Sequence, residues 1–372
     1  MKFSIKKNDI LNVLSNIQGL CGRKSNLAIT TNVLLKTVEN SICIIATDLE
    51  TGFEGMYPAS VENQGTIAVN AKKLYEIVRD FPSEEIYFCE IENHWVEIGN
   101  RENVEYHLVG MNPDDFPEIP KIESLTYFEI DSPNLKKMIE RALMLGVSDD
   151  KRAHIIGIYF EKLELGDGQV IRMVSTNGSC LSKVDHFYEK GLELPEAPGF
   201  LLPKKGLGEV NKFLGTEGSV KMGFMDNHFL IKKDKEIIII RLLEGEFPKY
   251  GDIIKKTGGN EIILDKQLFL MMLKRMSILA SENYKGVIFG FSNDKLLITS
   301  TNPDLGESKE EMVIDFKGDA FDVAFNPKFF IDSINVIDGD KVVMIITDEE
   351  SPCIIEQIND SSYLSVIMPM RI

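Results

Sequence analysis

Ala46-Thr47-Asp48-Leu49-Glu50-Thr51-Gly52 decides how the chain is divided, because the chain writes it three times. It ends a β-branched run, Ile42 to Ile45, with a small hydroxyl residue and an Asx turn, the pattern of a strand that stops abruptly. It returns as Ser175-Thr176-Asn177-Gly178-Ser179 after Ile171 to Val174. It returns again as Ser300-Thr301-Asn302-Pro303-Asp304-Leu305-Gly306 after Leu296 to Thr299. Thr47 and Thr176 lie 129 residues apart, and Thr176 and Thr301 lie 125 apart. A near-constant offset of about a third of the chain reads as three copies of one domain.

Working outward, each copy reads as helix, strands, helix, strands. The apolar spacing predicts helices over 6–20, 70–81, 132–146, 203–214, 265–281 and 325–337. Asn70-Ala71-Lys72, Leu202-Pro203-Lys204 and Asn326-Pro327-Lys328 align at the start of each second helix, which fixes the register of the repeat a second time. Pro117-Glu118-Ile119-Pro120-Lys121 and Lys255-Lys256-Thr257-Gly258-Gly259 read as connections. The division is therefore 1–121, 122–255 and 256–372, each domain an α+β unit with two helices packed on two small antiparallel sheets.

At 44% apolar and 27% charged, the composition is that of ordinary soluble globular material. No apolar run approaches the ~18 residues of a membrane helix. Met1 to Lys6 has no apolar core of a signal peptide, so a cytoplasmic protein with no membrane partner is expected. Cys21, Cys43, Cys89, Cys180 and Cys353 are scattered, and read as reduced thiols rather than a disulfide frame or a zinc site.

The net charge of −17 argues against binding nucleic acid. Its distribution argues the other way. The six predicted helices carry 15 Lys and Arg against 7 Asp and Glu, so the helices are net positive and everything else is strongly acidic. Lys and Arg favour helices intrinsically, but Glu does so equally and is scarce here. Charge alone leaves two readings open: a solvated helical face, or one basic surface of helices facing a polyanion.

Signals for catalysis are poor. There is no Walker loop, GxGxxG, HExxH or GxSxG. His94, His107, His154, His186 and His228 are dispersed without metal-like spacing. The pairs Asp114-Asp115, Asp149-Asp150 and Glu349-Glu350 lie beside turn residues and read as solvated loop charges. Neither an enzyme, a metal nor a cofactor is expected.

The chain resembles the β subunit of bacterial DNA polymerase III, the sliding-clamp family. Met368-Pro369-Met370-Arg371-Ile372 is similar to the family's closing M-P-M-R-[LI]. Ala46 to Glu50 matches its A-T-D-L-E, and Asp115-Phe116-Pro117 its D-F-P. Glu246 to Tyr250 fits its G-x-F-P-x-Y, and Asn302 to Glu307 its N-P-E-x-G-E. The resemblance implies a head-to-tail homodimeric ring that encircles double-stranded DNA without reading sequence. Such a ring is a non-catalytic subunit of the DNA polymerase III holoenzyme that confers processivity. The implied partners are the polymerase α subunit, the clamp loader and repair factors carrying clamp-binding motifs.

Residues follow from the same resemblance. Arg23, Lys72, Lys73, Lys136, Lys137, Arg141, Lys204, Lys205, Lys274 and Arg275 are the expected DNA-facing cations. Tyr106 and Leu108 would pack on Ile278 and Leu279 of a second copy. A partner-peptide pocket between domains two and three would comprise Arg152, His154, Ile155, Thr176, Gly178, Leu181, Pro248, Ile253, Val366, Met368, Pro369, Met370 and Arg371. Methionines flanking a rigid proline suit an adaptable apolar groove. Two departures stand out. Arg23 to Ile29 lacks the prolines of the family's R-P-x-[LI]-P-[IV]-L, and Asn177 and Cys180 replace the Asp and Arg of its second A-T-D-x-x-R-L. Alternatives are a duplicate, resistance-type clamp, and a ligand-binding protein built from repeated domains.

Overall fold

The turn that divides the sequence is a hydrogen-bonded device. Thr47 Oγ1 donates to the Thr51 carbonyl at 3.0 Å, while Asp48 Oδ1 accepts from Glu50 N at 3.1 Å and Thr51 N at 2.7 Å. The second copy repeats it atom for atom. Thr176 Oγ1 donates to Cys180 O at 2.9 Å, and Asn177 Oδ1 accepts from Ser179 N at 3.0 Å and Cys180 N at 2.8 Å. Leu49 and Gly178 occupy the same left-handed position, with φ of 78° and 90°. The third copy differs: Thr301 pairs with Glu307 and the ladder runs one pair further, to Asn302 and Gly306, whereas it ends at Thr47–Gly52 and Thr176–Leu181 in the other two.

The coordinates are a computed structural model describing residues 1–22, 28–120, 126–146, 152–165, 168–188, 199–256, 258–280 and 286–371. The first repeat holds β1 (Lys2–Lys6), α1 (Lys7–Ile17), β2 (Asn32–Val38), β3 (Ser41–Thr47), β4 (Thr51–Pro58) and β5 (Ser60–Asn63). It continues with β6 (Thr66–Asn70), α2 (Ala71–Asp80), β7 (Glu85–Glu90), β8 (Trp95–Gly99) and β9 (Glu105–Met111). The second holds β10 (Phe128–Asp131), α3 (Ser132–Leu143), α4 (Ala153–Ile156), β11 (Gly157–Leu165), β12 (Gly168–Thr176) and β13 (Cys180–Tyr188). Then come β14 (Phe200–Pro203), α5 (Lys204–Phe213), β15 (Ser219–Met225), β16 (His228–Lys233) and β17 (Glu236–Arg241). The third holds β18 (Asn260–Asp265), α6 (Lys266–Met276), β19 (Val287–Ser292), β20 (Lys295–Asn302) and β21 (Gly306–Val313). It ends with β22 (Phe321–Phe325), α7 (Pro327–Asn335), β23 (Lys341–Ile346), β24 (Cys353–Gln357) and β25 (Asp360–Ile367).

Packing gathers these into two units. One combines Met1–Leu135 with Lys205–Leu242, and the other takes the rest of the middle repeat and everything from Leu243 on. A 13-stranded sheet runs through the first unit, because β17 pairs antiparallel with β4 and carries the ladder from one repeat into the next. The second unit holds an 8-stranded and a 4-stranded sheet, and there β13 pairs with β25.

The helices bury one apolar face each. Ile10, Leu14 and Ile17 are buried in α1, Leu74 and Val78 in α2, and Phe330 and Ile334 in α7. In α6, Phe269, Met272, Leu273 and Met276 are buried, whereas Leu268 is 63% exposed. Asn70 caps α2 by accepting from Lys73 N at 3.0 Å, which satisfies one of the amides a helix start leaves free. Ser132, at the start of α3, donates its hydroxyl to Gly215 O at 3.1 Å. The last turn of α3 is satisfied by strand hydroxyls: Ser182 donates to Arg141 O at 2.8 Å and Ser175 to Ala142 O at 2.6 Å. No helix of the described residues is long and apolar enough to cross a membrane.

Candidate functional site

The β13–β25 ladder brings two distant stretches together. Cys180 pairs with Ile367 and Leu181 with Val366, and beyond the ladder Met368 N donates to Ser179 O at 2.9 Å. The Thr176 turn therefore lies beside the chain's last residues. Two positions on, Met370 N donates to Ala324 O at 2.8 Å. Pro369 between them has no N–H to leave unpaired. Val366 and Ile367 are buried, Met368 is 41% exposed, and Pro369 and Met370 are half-buried. The backbone is pinned while the side chains open outward, so this is not an ordinary buried terminal strand.

Leu181 and Val366 share an apolar cluster with Val174, Tyr250, Ile345, Ile354 and Leu364, against which Tyr159 and Phe247 pack. Tyr159 stacks on Phe247 with centroids 5.1 Å apart. Pro248 and Ile253, both exposed, flank Tyr250, and Ile253 N donates to Tyr250 O at 2.9 Å. The Tyr250 hydroxyl donates to Glu161, whose carboxyl burial pushes above its ordinary range. Arg172 grips Asp185 at 2.7 and 2.9 Å and reaches the Tyr250 hydroxyl at 3.5 Å. Buried polar atoms must be bonded to avoid a desolvation cost, so this network fixes Tyr250, the residue between Pro248 and Ile253 in the chain.

Arg152 begins the single turn of α4, and its carbonyl accepts from Ile155 N at 2.9 Å. Ile155 is buried, His154 half-buried and Arg152 exposed. The turn packs on β12, the strand that ends at Thr176. Gly178 and Arg371 are exposed. Strand pairing thus joins Thr176 to Leu181 and Leu181 to Val366, Met368 is held to the same turn through Ser179, and Ile253 reaches the group through Tyr250. What this frame offers is apolar side chains on fixed backbone, an arrangement for binding rather than for proton or group transfer.

The expected DNA-facing cations divide. Lys72 and Lys73 on α2 are 64% and 62% exposed, and Lys73 pairs with Glu76 at 2.8 Å. Lys137 pairs with Asp338 at 2.5 Å, Lys205 with Asp48, and Arg275 with Glu310. Lys274 is exposed and Lys136 half-buried. Arg23 lies outside the described residues. Arg141 and Lys204 need correction, because neither faces solvent. Arg141 is 2% exposed; it donates to Gln357 Oε1 at 2.7 Å and Ser362 Oγ at 3.1 Å, and lies over the Tyr363 ring. Lys204 is 1% exposed, and burial pushes its ammonium down to about 8.

Of the expected interface residues, Tyr106 is 41% exposed and Leu108 half-buried on β9, while Ile278 is 73% exposed and Leu279 half-buried after α6. β9 pairs with β8 over Glu105–Val109, and its pairing with β6 is confined to Gly110 and Met111. β21 is the end strand of its sheet. Both therefore present strand edges.

Sequence reasoning missed a further use of the turn. Asp348 Oδ1 accepts from Glu350 N at 2.9 Å and Ser351 N at 2.7 Å, and Thr347-Asp348-Glu349-Glu350-Ser351 spells nearly the same letters as Thr47 to Thr51. It also missed Glu97, Glu105 and His107, whose ligand-type atoms fall within 4.8 Å of one another because Glu97 pairs with His107 across β8 and β9. Exposed carboxylates at such spacing need no ion.

Comparison with known proteins covers the whole chain. Family models described as the DNA polymerase III beta subunit N-terminal, central and C-terminal domains match residues 1–120, 129–249 and 252–371. A beta sliding clamp from Chlamydia pneumoniae is 26% identical over 372 residues, covering 100% of this chain and 99% of the relative. One from Vibrio cholerae is 25% identical over 379 residues, with 100% of both covered. Among solved structures, the DNA polymerase sliding clamp of Bacillus subtilis superposes with a TM-score of 0.90 at 23% identity, covering 100% of this chain and 99% of that one. A sliding clamp from Bartonella birtlesii bound to griselimycin gives 0.93 at 24%, with 100% of both covered.

Proposed function

The chain belongs to the DNA polymerase III beta subunit family, and from that membership we propose that it acts as a processivity clamp: two copies close head to tail around duplex DNA, and partners dock by short peptides. The domains are 1–121, 122–255 and 256–372. The observation that carries the reading is that one repeat fills the chain end to end while exposed strand edges occur in its first and last copies, β9 and β21. A heterologous contact between such ends closes into a ring when the rotation per copy is right. Tyr106 and Leu108 meeting Ile278 and Leu279 of a second copy would supply its apolar part.

Cations on the helices contact phosphate without reading bases. Several of them already hold carboxylates of their own chain, so direct attraction to DNA stays weak and retention depends on topology. The groove at Thr176, Leu181, Val366 and Met368 takes the partner's peptide. The clamp is a non-catalytic subunit that binds polymerase and clamp loader through this groove.

The test is retention on a nicked circular plasmid after loading by a clamp loader, compared with the same plasmid linearised. Retention on the circle and loss from the linear form is expected; equal loss from both sinks the topological mechanism. Deleting Met368–Ile372 is expected to abolish peptide binding and leave the dimer intact. Peptide binding that survives the deletion places the groove elsewhere.

A further inference from the structure

Where β17 meets β4, the chain builds the junction that β25 and β13 build later. β4 leaves the Thr47 turn as β13 leaves the Thr176 turn, and one matching bond follows each ladder. Arg241 N donates to Glu50 O at 2.8 Å, as Met368 N donates to Ser179 O at 2.9 Å. Arg241 therefore stands where Met368 stands. The segment after Asp115-Phe116-Pro117 lies against this junction as the one after Glu246-Phe247-Pro248 lies against the other. Ile119 packs so closely on β4 that a Cβ on Gly52 would meet its Cδ1 at 3.1 Å.

A cavity of about 290 Å³ opens here. Leu49, Ile119 and Ile239 give it apolar walls, His228 and Arg241 face it from the last two strands of the ladder, and Glu50 and Glu118 lie on its lining. His228 and Arg241 are direct partners across β16 and β17. Burial and the Arg241 charge hold His228 below its ordinary range, with Asp226 opposing them. Among the described residues Arg241 forms no ion pair. Its guanidinium is a fork of donors awaiting an anion.

We propose that this cavity is a second peptide-docking site, taking a short extended peptide with an aliphatic residue beside a single carboxylate. The aliphatic residue lies on Leu49, Ile119 and Ile239, and the carboxylate reaches Arg241. Glu50 and Glu118 repel a second acidic residue, which separates this site from a general sink for acidic chains. The inference rests on the docking role proposed for the groove at Met368 only for the view that junctions of this kind take peptides.

Fluorescence polarisation of the full-length chain tests it, with a labelled peptide of two leucines followed by one aspartate, and a matched peptide with lysine in place of the aspartate. Wild type is expected to prefer the aspartate peptide. Arg241→Glu is expected to weaken that peptide by about tenfold or more and to reverse the preference, a swap that loss of structure alone does not produce. Arg241→Gln keeps the main-chain bond and is expected to lose the preference without reversing it. The chain lacking Met368–Ile372 is expected to bind the aspartate peptide as wild type does. Absence of saturable binding to wild type, binding unchanged by both substitutions, or binding lost with the deletion each overturns the proposal. Plasmid retention of Arg241→Glu reads the clamp function separately and is expected to match wild type.

Discussion

Lys204 and Arg141 carry positive charge in the sequence and none of it to the surface. A lysine whose folded pKa falls to about 8 from its usual 10.5 binds its proton less tightly folded than unfolded. Between those values the unfolded chain holds the extra proton, so this group's contribution to stability rises with pH across that window and is lost as pH falls through the folded value. Lys204→Met is therefore expected to be more stable than wild type at pH 7, by at most about 3 kcal/mol. The gap should close between pH 8 and 10.5, as urea unfolding at several pH values would reveal. Arg141→Ala removes the partner of Gln357 and Ser362 and uncovers Tyr363; it is expected to cost about 3 kcal/mol in the same assay. Neither burial was legible in sequence. A lysine at a helix start and an arginine at the end of a helical stripe look like surface residues until the strands that cover them are in place.

Turns and strands were read unevenly, for physical reasons. The Thr47 and Thr176 turns were legible because side-chain oxygens must sit at fixed offsets to catch backbone amides. β13 is hard to read as a strand because Ser182, Lys183 and Asp185 break any apolar run, yet all three are buried, with Lys183 and Arg172 sharing Asp185. β21, Gly-Glu-Ser-Lys-Glu-Glu in its first six residues, hides as a polar loop because it is an edge. The paired turns also make a reciprocal prediction. Leu49 bears the left-handed strain that its equivalent Gly178 avoids. Leu49→Gly is expected to gain about 0.5–1 kcal/mol, less than the full strain because glycine loses more entropy on folding, and Gly178→Leu to lose about 1 kcal/mol. Thermal unfolding of both variants would check the opposite signs.

Across the whole molecule, charge is sorted but restrained. Lys73, Lys137, Lys205 and Arg275 each face a carboxylate of their own chain, which phosphate would have to displace if these helices meet DNA as proposed. Binding to a short linear duplex is therefore expected at about 0.1 mM or weaker, falling steeply with salt. Glu76→Gln together with Glu310→Gln should tighten it by freeing Lys73 and Arg275, measurable by anisotropy at low salt. The solution mass should be twice the 42.0 kDa of one chain. The ladder between β4 and β17, five residue pairs from Thr51–Ile240 to Gly55–Glu236, has a consequence of its own. It joins the first repeat to the end of the second, edge to edge. Two fragments made by a single cut in the chain between β4 and β17 would stay zipped, migrate together in a native gel, and complement each other when expressed from separate genes.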